Sequence, residues 1–416
     1  MTPSTTHIGP ESFMPEPTEA VVSVLVAGDL CTAGRPEQAF ARNEPYAVWG
    51  ELGEILCAHD LRVVNLECPL TLVQDPSAKS GPHLRSRPSC ALAIRTGGFD
   101  LVGLANNHIM DHRERGLADT LDACRTAGLV TVGAGLNLGE AEEPVITEVH
   151  GRRVAILAFA EREFSIATES RAGACPLDLP LNLAQLQRAR ELADSVIVLL
   201  HGGNEYYPLP SPCMVKTCRY LVDAGADAVM CSHTHVSSGI ETYRGAPIAY
   251  GLGNFIFDWP SRQPTGWYNG TLASLTIDQS GAITAQLIPF RQCMEAPVIE
   301  LEAGDELASR HARNAELSSI IASPDRLESA WSAFCATRRV GYLAQLLSLT
   351  RLERGVLSRG VWPTWRTREA RLYELLDVLT CEAHRQAAIT ILEAELEARR
   401  PRHIADAGPR NPRECE

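Results

Sequence analysis

Five places in this chain set metal-donor residues directly after an apolar run: Asp29, Glu67, Asn107 with His108, His201, and His233 with His235. Carboxylates, an amide oxygen and neutral imidazoles form a mixed oxygen and nitrogen set that suits Mn²⁺, Fe²⁺ or Zn²⁺ better than a thiolate site would. The set is large enough for two divalent metal ions sharing a bridging ligand. Two ions about 4 Å apart polarise a phosphoryl or carbonyl oxygen and lower the pKa of the water between them. Singly, each residue has a plainer reading: an Asp that caps a helix, two Asn in a turn, a His-x-His pair on a surface loop. Five separate causes are then needed where one metal centre accounts for all.

The elements that must position these residues are buried strands, because ligands in open α/β sheets sit beyond the carboxyl ends of strands. Val21 to Ala27 reads as the first strand and ends in Gly28-Asp29; Leu61 to Val64 ends in Asn65-Leu66-Glu67. Phe99 to Gly103 leads into Leu104-Ala105-Asn106-Asn107-His108-Ile109-Met110-Asp111, the densest of the polar strand ends. Ser195 to Leu200 ends in His201-Gly202-Gly203-Asn204-Glu205, and Asp227 to Met230 in Cys231-Ser232-His233-Thr234-His235. Helical patterns are expected at Val48 to Ala58, Leu183 to Ala193 and Met214 to Ala224. Hairpins are expected at Pro144 to Ala160 and Thr271 to Pro289.

Between Pro69 and Ser89 runs a long irregular loop with Lys79, His83, Arg85 and Arg87. A loop of that length is more often functional or mobile than structural. Lys79, Arg85 and Arg87 are candidates for binding a phosphate or carboxylate, since an Arg fork matches such groups; a solvated loop is the alternative. Glu205 is a candidate general base or partner of His201, or simply a polar loop residue. Trp259, Trp267 and Tyr268 either wall the pocket or fill the core.

The totals set bounds. The chain has 416 residues, long enough for a substantial core. Its net charge of −13 argues against a general nucleic-acid partner. Thirteen cysteines without CxxC pairs indicate neither a disulfide framework nor a zinc finger. With no signal-peptide pattern and no apolar run near the roughly 20 residues of a spanning helix, no membrane association and a cytoplasmic location are expected. Residues 1–19 read as a disordered lead-in, 20–295 as the main domain, 296–400 as a helical C-terminal region and 401–416 as a polar tail. Helical periodicity covers Leu327 to Leu349 and Arg368 to Arg399, and these helices offer a surface for a partner or for homo-oligomerisation.

Six segments together resemble the CapA family, the poly-γ-glutamate capsule biosynthesis proteins, which are similar to calcineurin-like metallophosphoesterases. They are Gly28-Asp29, Asn65-Leu66-Glu67, Ala105-Asn106-Asn107-His108 with Asp111, His201 to Tyr206, His233-Thr234-His235-Val236, and Tyr250 to Phe255 with Asp258. The resemblance runs in order from Val21 to Pro289. It implies an α/β fold, a four-layer αββα sandwich of metallophosphoesterase type, with the helical C-terminal region appended. It also implies that Asp29, Glu67, Asn107, His201, His233 and His235 are metal ligands. By the same resemblance His108 would give a proton to a leaving group or stabilise an oxyanion. Asp111 would orient it, or else cap the following helix, and Asn254 would contact substrate. The substrate would be a small anion with a phosphoryl or γ-glutamyl-type centre. The alternative is a non-catalytic, metal-binding partner of a synthetase.

Two motifs depart from the wider pattern. Asp29-Leu30-Cys31 stands where the phosphoesterases have Asp-x-His, and Cys231-Ser232-His233-Thr234-His235 where CapA-like proteins have Gly-His-His-Pro-His. No membrane anchor of the kind common in capsule members is expected here, which argues against a role in polymer export at a cell surface.

Overall fold

Residues 20–259, 261, 263–360 and 369–398 are described by the computed structural model. The expected lead-in 1–19 and polar tail 401–416 lie outside these described residues. The first half of the chain forms β1 (Ala20–Cys31), β2 (Leu61–Leu66), β3 (Leu101–Gly103), β4 (Val130–Val132), β5 (Ala134–Gly135), β6 (Val145–Val149), β7 (Arg152–Ala160) and β8 (Gly173–Ala174). The second half forms β9 (Ser195–His201), β10 (Ala228–Ser232), β11 (Ile240–Tyr243), β12 (Ala246–Ala249), β13 (Asn254–Phe257), β14 (Asn269–Asp278), β15 (Ile283–Gln292) and β16 (Ile299–Leu301).

One sheet has the order β16-β15-β14-β1-β2-β3-β4, with β13 also paired to β1; the other has the order β11-β12-β10-β9-β7-β6. The strands that end in donor residues, β1 to β3 and β9 with β10, pair in parallel within their sheets. They are buried along nearly their whole length, as parallel strands covered on both faces must be. Val63 and Val102 from the first sheet share one core with Ile156, Ile197 and Met230 from the second. Helices Cys90–Thr96 and Arg113–Ala127 cover the first sheet, and Leu179–Leu192 and Pro212–Asp223 cover the second. The expected αββα sandwich is therefore present.

Local sequence explains the joints. Asp178 and Ser211 cap the two helices on the second sheet by accepting the N–H groups of Leu181 and Met214, each with Pro in the first turn. Trp49 packs edge-on to Phe40 and Phe99 at 5.1 and 5.9 Å and lies 5.0 Å from Phe255. Its indole N–H donates to the Gly97 carbonyl at 3.1 Å. This cluster ties β13 to the chain entering β3.

The elements depart from expectation in three details. The helix expected at Val48 to Ala58 is two short helices, Tyr46–Trp49 and Leu52–Cys57, because Gly50 takes a positive φ of 55° between them. The strand Ile299–Leu301 pairs with β15 beyond the point where strand patterns fade from the sequence. Past it, helix Gly304–Ile321 precedes Pro324–Leu346, Arg351–Ser358, Glu369–Thr380 and Glu382–Ala398. Thr350 supplies a capping box with Glu353 that starts a separate helix in the gap between the two stretches of expected helical periodicity.

The chain divides into two compact units between Trp331 and Ser332. The second unit has a small core of Ala344, Leu347, Leu349 and Leu357, and Glu369–Thr380 packs against Glu382–Ala398. Leu376, Ile391, Leu392 and Leu396 on these helices are exposed. Among the described residues no helix is long and apolar enough to cross a membrane.

Candidate metal centre

A break in strand register aims the first donor. β1 shifts register at Asp29 against both β2 and β13, and such a bulge re-aims the side chain next to it. A Cβ on Gly28 would stand 1.9 Å from the Gly253 carbonyl oxygen, which accepts the Asp29 N–H at 3.1 Å. Only glycine lets the two backbones approach so closely. Asp29 is fully buried, accepting Asn65 Nδ2–H at 2.8 Å and the His233 N–H at 2.9 Å.

Asp29, Glu67 and His235 place one ligand atom each within 4.8 Å of one another, and so do Glu67, His201 and His233. Glu67 belongs to both groups. Its Oε1 is 3.8 Å from His201 Nε2 and 3.8 Å from His235 Nε2. The Asn107 Oδ1 joins the second group, 3.1 Å from His201 Nε2. All six residues that the resemblance marked as ligands therefore converge where the carboxyl ends of the two sheets meet.

The electrostatics fit a cation. Both carboxylate oxygens of Glu67 are buried and accept no hydrogen bond. Burial, and then the neighbouring Asp29 charge, push the Glu67 carboxyl well above its usual range. Burial also holds His201 well below its ordinary value, with His233 and His235 adding to the effect, and lowers His235 to about 4. The imidazoles are thus neutral, with lone pairs available. A buried carboxylate without a donor is costly unless a cation or proton accompanies it. Three neutral imidazoles and an amide oxygen around it offer the cation its remaining ligands. The donor set fits a divalent metal.

His233 and His235 both adopt positive φ, 88° and 57°, strained for non-glycine residues. Partners fix the rings: His235 Nδ1 lies 2.9 Å from Asn254 Oδ1, and His201 Nδ1 lies 3.1 Å from the Ser232 hydroxyl. Ser232, one of the two departures from the wider pattern, thus supports a histidine. Cys31, the other, belongs to neither donor group. Its thiol faces Cys68, and that hydrogen bond together with burial pushes it well above its normal range.

Residues 23–259 match the model of the family described as bacterial capsule synthesis protein PGA_cap. The chain belongs to that family. It is 31% identical over 281 residues to the capsule biosynthesis protein CapA of Bacillus anthracis, covering 65% of this chain and 67% of that one. It is 30% identical to the PGA biosynthesis protein CapA of Bacillus subtilis, covering 58% and 64%. It is 31% identical to a probable polyglutamine synthesis accessory protein of Mycobacterium tuberculosis, covering 58% and 69%. The chain spans about two thirds of the length of these relatives.

The remaining candidates of this PGA_cap domain fall at different distances from the ligand groups. His108 Nδ1 is 2.7 Å from Asp111 Oδ2, which also accepts the Leu84 N–H at 2.6 Å. His108 stands beside the cluster, close enough to help lower the pKa of His201, His233 and His235. Asn106 shapes the turn, accepting the His108 N–H at 3.1 Å and donating to the Leu66 carbonyl at 2.8 Å. Lys79 sits on an exposed loop but turns inward: its side chain is 2% exposed, ion-paired to Asp111 and 3.1 Å from His108 Nδ1. Asn254 is fully buried and engaged with His235 and the Trp267 carbonyl, an orienting position rather than one open to substrate. Glu205 is exposed, and its charge reaches Glu67. Arg85 donates to the Leu72 carbonyl and Arg87 faces Glu37; neither joins the cluster. Trp267 is core and wall at once, buried and 4.7 Å from the His235 ring, while Tyr206 stacks on its outer side at 5.9 Å.

Sequence reading passed over Glu161 and Glu163. They follow β7, so the signal was the one used elsewhere, a strand ending in carboxylates; a hairpin pattern drew attention away from it. Glu161 accepts the Gly203 N–H at 2.9 Å, and burial raises its carboxyl. Glu163 accepts from Asn107 Nδ2 at 2.7 Å.

Proposed function

We propose that this PGA_cap domain is a two-cation hydrolase or acyl or phosphoryl transferase. It acts at a phosphoryl or γ-glutamyl amide centre of a small anionic substrate. The observation that carries this reading is Glu67, a fully buried carboxylate with both oxygens unpartnered where three neutral imidazoles and an amide oxygen converge. Asp29, Glu67 and His235 would hold one ion, and Glu67, Asn107, His201 and His233 the other, with Glu67 common to both. Mn²⁺, Fe²⁺ or Zn²⁺ bound there would acidify water and polarise the oxygen of the group under attack.

The chain's own groups supply the rest. His108 is held through Nδ1 by Asp111, which leaves Nε2 as the ring nitrogen that gives a proton to the departing atom. Lys79 pairs with the same carboxylate and so fixes the orienting group. Glu205 is a nearby base or a partner to the cluster. Trp267 and Tyr206 wall the His235 side and exclude water. Arg85 and Arg87, turned toward Leu72 and Glu37, have no part in this reading.

A second reading, a non-catalytic partner of a synthetase, draws on the exposed apolar helices of the second unit and on the likeness to the mycobacterial polyglutamine synthesis accessory protein. Turnover separates the two. The full chain, reconstituted with Mn²⁺, Fe²⁺ or Zn²⁺, is assayed on p-nitrophenyl phosphate, bis-p-nitrophenyl phosphate and γ-glutamyl-p-nitroanilide. Metal-dependent release of nitrophenol or nitroaniline that His108→Ala abolishes supports the enzyme. Metal-loaded protein inert toward all three favours the partner.

A further inference from the structure

The segment from Glu161 to Ser165 crosses from the second sheet to the first and holds Asn107 at two points, its side chain and its carbonyl. At its start the Glu161 N–H donates to the His201 carbonyl at 2.9 Å, and Glu161 Oε2 accepts the Gly203 N–H. At its end the Ser165 hydroxyl donates to the Asn107 carbonyl at 2.6 Å and lies 3.4 Å from the Met110 N–H. Between these anchors Glu163 Oε2 accepts Asn107 Nδ2–H at 2.7 Å. Glu163 Oε1 lies 3.8 Å from His233 Nε2.

An asparagine amide has one end that can bind a cation and one that cannot. Its oxygen has lone pairs, while its NH₂ offers only donors. The two ends have almost the same shape, so packing alone does not choose between them. An ionised carboxylate accepts and never donates, so it is compatible only with the NH₂ end. Glu163 thereby turns Asn107 Oδ1 toward His201 and the ligand group of Glu67, His201 and His233.

We infer that Glu163 is a positioning residue for one of the two metal positions: it fixes the Asn107 amide with its oxygen toward the cation. This rests on the proposed metal centre, and it separates the two positions, since the group of Asp29, Glu67 and His235 makes no use of Asn107. Partners that orient a ligand are worth about 10- to 100-fold in metal affinity.

The test is Mn²⁺ titration of the metal-free full chain by calorimetry, with melting curves to confirm that each variant is folded. Glu163→Ala is expected to weaken one of two binding events by about 10- to 100-fold and leave the other unchanged. Glu163→Gln, which can accept but can also donate, falls between Glu163→Ala and the unaltered chain. Asn107→Ala weakens the same event, and the double variant binds no more weakly than Asn107→Ala alone. Unchanged binding in Glu163→Ala, with binding weakened in Asn107→Ala, overturns the inference. So does a double variant weakened by the product of the two factors, which would make Glu163 act independently of Asn107. If Asn107→Ala itself binds two Mn²⁺ normally, or the unaltered chain binds none, the metal-centre reading fails and the inference falls with it.

Discussion

Glu67 Oε1 stands 3.8 Å from His201 Nε2, too far for a hydrogen bond and near enough for both atoms to share a cation. The carboxylate is left buried with no donor at either oxygen. Its burial costs stability unless a cation or proton accompanies it, and with metal bound it would serve both ligand groups. Glu67→Gln is therefore expected to have opposite effects in two conditions. In excess chelator at neutral pH the variant should be more stable than the unaltered chain, because the amide carries neither the buried charge nor the proton that burial and Asp29 force on Glu67. With Mn²⁺ added, the unaltered chain should gain stability and the variant should not. Urea denaturation with and without Mn²⁺ reads both; a variant destabilised in chelator would contradict the account.

The separation of ligands from the proton donor gives a second prediction. His233→Ala should lose metal and with it turnover. His108→Ala should keep the metal content of the unaltered chain while turnover falls by about 10²–10⁴-fold, the usual worth of a general acid. Metal analysis beside a chromogenic assay distinguishes them. Full activity in His108→Ala would remove its assigned role.

Lys79 and Asp111 form a buried ion pair, with 2% and 0% of their side chains exposed. Lys79→Ala removes the cation paired with Asp111 in the interior and leaves that carboxylate only His108 and the Leu84 N–H, a loss of up to about 3–5 kcal/mol. Lys79→Met combined with Asp111→Asn removes both charges and should recover most of that loss of stability without recovering activity. Equal instability in the single and the double variants would show that the pair is not the cause.

Gly28 gives the strictest steric prediction. An alanine there must push a Cβ into the Gly253 carbonyl, 1.9 Å away. The backbone has to shift by more than overpacking with one methyl usually demands, so the cost should exceed about 1–3 kcal/mol. Asp29 lies on the same bulge, so Gly28→Ala should also lower metal content. Chemical denaturation and metal analysis report the two effects separately.

Much of this was legible in the sequence, and the reason is physical. A buried parallel strand is a continuous apolar run, so the polar residue that ends it stands out; Asp29, Glu67, Asn107, His201, His233 and His235 were all visible that way. The αββα layering followed from the family resemblance, and the two sheets found here agree with it. What stayed hidden depended on the direction a side chain takes within a loop. Nothing in the spacing of Lys79, Arg85 and Arg87 tells that the first turns inward to Asp111 while the others turn toward Glu37 and Leu72. Asn254 looked available to substrate because its bond to His235 joins two distant strand ends. Glu163 carried the right signal but sat after a strand read only as half of a hairpin.

The central claim is that these six residues hold two divalent ions, and the direct measurement is metal stoichiometry. The full chain is stripped with chelator, reconstituted with Mn²⁺, Fe²⁺ or Zn²⁺, freed of excess metal and analysed by mass spectrometry of the elements. Two equivalents per chain for at least one of these metals are predicted, falling in Asp29→Ala and in His233→Ala. Less than about one equivalent of every metal after reconstitution would contradict the account.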